Sequence, residues 1–123
     1  MATQRRFAVE EANALLGELR ERLARMREAR RAILSSGERV RASSPQDGGG
    51  REGAGLWDAA ARLRKDLEAL AEAGVVLRDA EAGLVDFPAE REGHLVYLCW
   101  RADEPEVGHW HEVDAGFPGR RPL

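Results

Sequence analysis

Cysteine, tyrosine and lysine occur once each in this chain, and aromatic residues make up only 6 % of its 123 positions. A lone cysteine, Cys99, cannot form an intramolecular disulfide, which fits a reducing compartment. No recognisable leader opens the sequence, so the expectation is a cytoplasmic protein. The longest apolar run, Leu95 to Trp100, is far shorter than the roughly 20 residues needed to cross a bilayer, so no membrane association is expected. A strong basic bias is also missing. The net charge is −3, with +2 over residues 1–74 and −5 over residues 75–123. Arg20, Arg22, Arg25, Arg27, Arg30 and Arg31 are interleaved with Glu, which reads as a solvated helix face rather than a nucleic-acid stripe. Nucleic acid is therefore not an expected partner.

With 43 % apolar and 33 % charged residues, the chain can bury a core and remain soluble, and its length fits a single domain over 1–123. Residues 8–34 read as a first helix, because Ala12, Leu16, Leu19, Leu23, Met26 and Ile33 keep one seam at alternating spacings of four and three. Arg30 interrupts that seam and is expected to snorkel at the far end. Glu18 with Arg22 and Glu21 with Arg25 are favourable i,i+4 pairs. A second helix is expected over 56–73, with Leu56, Ala60, Leu63, Leu67 and Leu70 as its seam. Between them, 35–55 lacks periodicity, contains Ser-Ser-Pro-Gln-Asp-Gly-Gly-Gly and reads as a flexible connector. The two seams facing each other give an antiparallel helical hairpin.

Gly74 suits a left-handed helix cap, and the pattern then changes. Val75–Leu77, Leu84–Phe87, Leu95–Trp100 and Val107–Val113 are short β-rich runs separated by turn-forming segments, which reads as a β-meander over 75–113. A Gly/Pro-rich tail, 114–123, follows, with Phe117 as its expected anchor. The expected fold is α+β: a long antiparallel helical hairpin packed on one face of a three- to four-stranded antiparallel meander.

Strand parity then sorts the polar residues. If the face carrying Phe87, Trp100 and Trp110 meets the helices, the outer face gathers Asp86, Cys99, Arg101, His109 and His111, with Glu104 in the adjoining turn. Thiolate, imidazole and carboxylate are ligands for zinc or another transition metal. Asp86, Cys99, Glu104, His109 and His111 are thus the candidate metal ligands, and Tyr97, Arg101 and Arg120 the candidates for holding a small ligand. No Cys-x-x-Cys or His-Glu-x-x-His spacing accompanies them. A blander set of roles competes: Cys99 as a small buried hydrophobe, Asp79 and Asp86 bonding turn amides, Arg101 and Glu104 as a surface ion pair. A third reading makes Cys99 a nucleophile with a histidine base, although no Gly-rich loop or helix start nearby would supply oxyanion donors.

An ordered set of residues runs through nearly the whole chain outside 35–55. It comprises Phe7, Glu11-Ala12-Asn13, Leu15-Leu16, Gly74–Asp79, Gly83–Pro88, Leu98–Arg101, Glu104, Trp110–Glu112 and Gly116–Arg120. In this the chain resembles an uncharacterised prokaryotic family, domain of unknown function 2203. The resemblance implies no activity or ligand of its own, but it implies Cys99, Glu104 and His111 as site candidates; His109 matches no fixed position in it. The family usually has Ser or Thr just after the first Phe, as a helix N-cap. Ala8 stands there instead, a loss of about 1 kcal/mol unless Thr3 or another group caps the end.

Three functions follow as expectations. The first is a protein that binds a metal or small ligand on its outer sheet face, with Arg101 orienting a carboxylate. The second is a scaffold whose hairpin pairs with a second copy as a homodimer. The third is a cysteine-dependent enzyme.

Overall fold

A computed structural model describes residues 5–42 and 50–123, with side chains described for 5–36 and 55–123. The expected first helix is divided in two: α1, Val9–Ala14, and α2, Leu16–Ala42. At the break the Leu15 N–H bonds the carbonyl of Ala12, three residues back, and forms one tightened turn. Ala8 supplies no side-chain cap, but its backbone N–H donates to Glu11 Oε1 at 2.9 Å, which keeps half of a capping box. Thr3, the alternative cap, lies outside the described residues.

Helix α3 spans Gly50–Ala73. Both long helices reach into the segment expected as a connector, because 35–42 and 50–55 are helical; the apex of that segment, 43–49, lies outside the described residues. Leu15 and Leu19 border the same crevice as Ala69–Leu70 and Ala73, and Arg25 and Ala29 share another with Arg62, Lys65 and Asp66, so α2 and α3 run antiparallel. Their seams differ from the expected ones. On α2 the stripe continues through Ala29 rather than Arg30, whose guanidinium reaches Glu81 at 3.2 Å instead of the helix end. On α3 the most buried positions are Ala59, Asp66 and Leu70, while Leu67 is 41 % exposed. Asp66 can face α2 because Arg22, at 2.6 Å, and Arg25, at 3.4 Å, satisfy its carboxylate. Arg25 thus pairs across the helices, and Glu18 keeps Arg22 at 3.2 Å as the spacing implied.

The sheet has five antiparallel strands in sequential order, not three or four. These are β1 Val76–Asp79, β2 Leu84–Arg91, β3 His94–Arg101, β4 His109–Glu112 and β5 Arg121–Pro122. Gly74, at φ 81°, turns the chain out of α3. Strands β2 and β3 are longer than their apolar runs suggest, because the hairpin is closed by only two residues. Glu92 (φ 51°) and Gly93 (φ 83°) form that turn, with both torsions in the region a two-residue hairpin demands. Pro88 sits inside β2, beyond the end of β1, so its missing N–H deprives no neighbour; its carbonyl accepts the Phe7 N–H at 2.7 Å. The tail is not a loose end. A 3₁₀ turn, Phe117–Gly119, leads into β5, which pairs with β4.

One core joins the layers: Leu16, Leu19, Leu23, Met26 and Leu70 from the helices with Val85, Phe87, Val96, Leu98, Trp100 and Trp110 from one sheet face. Arg20 on α2 lies over the Trp100 ring at 5.3 Å and donates to the carbonyl of Glu104, which also accepts the indole N–H. Asn13 Oδ1 accepts the Val107 N–H at 2.7 Å, tying α1 to the β3–β4 loop.

Candidate metal centre

Register decides which side chains can meet on the face turned away from the core. Asp86, Cys99 and His109 lie opposite one another across β2, β3 and β4; Pro88, Tyr97 and His111 form the next row. Direct row neighbours do not make the site. His109 turns to Glu104, with Nδ1 3.7 Å from Oε2, whereas His111 leans diagonally over β3 and brings Nε2 to 3.0 Å from Asp86 Oδ2. Cys99 stands on β3, the strand between them. Ligand atoms of Asp86, Cys99 and His111 all fall within 4.8 Å of one another. A zinc ion bound at 2.0–2.3 Å needs donors about 3.5 Å apart, so side-chain rotation of about 1 Å would close the set.

All three residues are buried, at 1 % exposure for Asp86 and Cys99 and 2 % for His111, although they occupy the outer face. The tail covers them. Beyond β4 the chain folds back so that Val113 to Phe117, together with Arg78 and Leu84, walls a recess of about 290 Å³ over the three donors. Gly116, at φ 66°, makes that reversal. Phe117 is the anchor, with the guanidinium of Arg120 4.5 Å and that of Arg101 5.7 Å from its ring centre.

The hydrogen bonding within this pocket is incomplete. Asp86 Oδ2 accepts from Arg78 Nε at 2.8 Å, but Oδ1 is buried with no partner among the described residues. His111 Nδ1 lies 2.7 Å from the carbonyl of Glu112, so that nitrogen must carry a proton. In a neutral ring Nε2 is then a lone pair facing a carboxylate oxygen, and a proton or a metal ion has to stand between them. An imidazole that donates one N–H to a backbone carbonyl while aiming the other nitrogen at a carboxylate and a thiol has the outer-shell arrangement of a metal ligand.

Electrostatics set the state of the sulfur. Burial pushes the Cys99 thiol up to about 11, and the Asp86 carboxylate adds to the rise; Arg120, 3.8 Å from the sulfur, pulls the other way. At neutral pH this is a protonated thiol in the middle of a strand, which is no nucleophile, and the geometry gives the cysteine-enzyme reading no support.

The remaining expected site residues are not among the three converging donors. Glu104 is gripped by Arg120 through two bonds of 3.0 and 2.5 Å and accepts the Arg101 N–H; Arg120 holds its carboxyl below the ordinary range. The expected Arg101–Glu104 ion pair is replaced by Arg101 with Asp103 at 2.6 Å. Arg101 therefore orients no site carboxylate. That position belongs to Arg78, which also lies 4.9 Å over the Tyr97 ring; Tyr97 in turn rests against His111. Asp79 does bond a turn amide, accepting from Ala82 N–H at 3.0 Å.

Arg78 escaped the sequence reading because β1 was expected to stop at Leu77. Val76 pairs with Asp86, and Arg78, two residues further along β1, reaches the Asp86 carboxylate with its Nε at 2.8 Å.

Fold and site together define an α+β protein whose five-stranded meander carries a buried Asp/Cys/His cluster under its own C-terminal segment. The chain belongs to the family described as uncharacterized conserved protein (DUF2203), whose model matches residues 5–123. No curated protein and no solved structure matches it. Among the described residues, no helix is long and apolar enough to cross a membrane.

Proposed function

We propose that this protein binds one transition-metal ion, with zinc as the best fit, through Asp86, Cys99 and His111. The observation that carries the reading is the convergence of three different donor types within 4.8 Å, with one oxygen of the Asp86 carboxylate, Oδ1, buried and without a partner among the described residues. An uncompensated buried oxygen costs about 1–3 kcal/mol, and a cation removes that cost. A thiolate and a carboxylate neutralise a divalent ion, and Arg78 and Arg120 hydrogen-bond the carboxylate and the sulfur from outside. Three protein ligands leave a fourth position for water or an added ligand, unlike the closed four-ligand set of purely structural zinc.

Elemental analysis of protein purified without a polyhistidine tag tests this. The expected result is close to one metal per chain, lost in both His111→Ala and Cys99→Ser variants whose circular dichroism shows that they still fold. Less than about a tenth of an equivalent in the parent after zinc addition and desalting, or unchanged content in the variants, refutes it.

A second reading, compatible with the first, is self-association through the helices. Trp57, 75 % exposed, Leu34, 54 % exposed, and Leu67 support it, as large apolar side chains left in solvent on α2 and α3.

A further inference from the structure

The recess above the three donors has a chemistry of its own. Its volume, about 290 Å³, has room for on the order of ten water-sized groups, the scale of a small metabolite rather than a polymer. Three of its walls are apolar: Leu84 from the start of β2, Val113 just after β4, and the Phe117 ring from the C-terminal segment. On another side stands Arg78, whose Nε is held by Asp86 and whose guanidinium is steadied over Tyr97. Asp114 also borders the recess, but it is an exposed residue at the rim, where water screens its charge. Beside the donors themselves the fixed side-chain charge is therefore cationic.

Resting on the metal reading above, we propose that the recess binds a small monocarboxylic acid. One carboxylate oxygen takes the ion's open position, the planar guanidinium of Arg78 pairs with the carboxylate, and a short apolar chain lies against Leu84, Val113 and Phe117. The selection is for charge and shape together. A guanidinium matches a carboxylate in geometry as well as sign, whereas an amine of the same length meets a cation and an alcohol offers no charge. The apolar walls favour a short alkyl or aryl substituent over a bare inorganic anion.

Cobalt(II)-loaded protein tests both layers separately, because a thiolate–cobalt charge-transfer band reports the metal site and the visible ligand-field bands report its open position. The expected result is that butyrate shifts the ligand-field bands saturably while butylamine and butanol do not. Per bound cobalt, Arg78→Met weakens the butyrate response about tenfold or more, and Arg78→Lys falls between, since it keeps the charge but loses the fork. A charge-transfer band with no response to butyrate, an equal response to butylamine, or an undiminished response in both Arg78 variants overturns this proposal and leaves the metal reading standing. Absence of the charge-transfer band overturns the metal reading, and this proposal with it.

Discussion

Ionisation of Cys99 couples folding to alkaline pH. An ordinary thiol ionises near 9.0, and in the folded chain burial raises this to about 11. Because the folded value is the higher one, the stabilising contribution is complete below pH 9 and disappears as pH rises toward 11. Each tenfold difference in proton affinity corresponds to about 1.4 kcal/mol, so metal-free protein should lose about 1.4 kcal/mol from this one group between pH 7.5 and pH 10. Urea unfolding at the two pH values measures it, with the midpoint moving by somewhat under 1 M for a slope of about 1.5–2 kcal/mol per molar. Other groups titrate over the same interval, so the quantity that matters is the difference between the parent and Cys99→Ala. The variant should start less stable, having lost a buried atom, yet fall about 1.4 kcal/mol less on going to pH 10. Equal losses within a few tenths of a kcal/mol would refute the argument that burial holds this thiol protonated. Zinc should reverse the trend: binding requires the thiolate, so stabilisation by a fixed zinc concentration should grow with pH up to about 11.

Gly83 and Gly93 both have positive φ, but an added Cβ at Gly83 would lie 2.7 Å from the Ala102 Cβ while Gly93 has open space around it. Gly83→Ala should therefore cost about 2–3 kcal/mol by thermal or urea unfolding, and Gly93→Ala only about 1 kcal/mol; equal costs would show that torsion alone matters. For self-association, sedimentation at tens of micromolar should give twice the 13.6 kDa chain mass, and the double variant Trp57→Ser, Leu67→Ser should return it to a monomer of nearly unchanged stability. A parent that sediments as a monomer would rule out that reading.

The face of each strand residue was legible from parity alone, because alternation is a property of extended backbone and needs no knowledge of the partner strand. Cys99, Asp86 and His111 accordingly emerge opposite Phe87, Trp100 and Trp110, as expected. Parity does not say which residues on one face will touch. Glu104 and His109 were equally good candidates by composition, but the Glu104 carboxylate is taken up by Arg120, carried by a segment read as a tail, and by the Arg101 N–H. The α3 seam failed for a related reason: heptad reading prefers Leu67 to Asp66, and it cannot know that two arginines on the neighbouring helix will satisfy a carboxylate.

By itself, then, the sequence determined the two helical stretches, the change to short strands after Gly74, and the sidedness of the chemistry-bearing residues. These follow from periodicity and turn preference, which act over a few neighbouring residues. Tertiary structure alone decided that residues 113–117 would wall a recess over the outer face, that Arg78 would pair with Asp86, and that His111 rather than His109 would complete the cluster. Each depends on contacts between segments far apart in the chain, whose energy comes from burial and from pairing charges, and no local pattern encodes either.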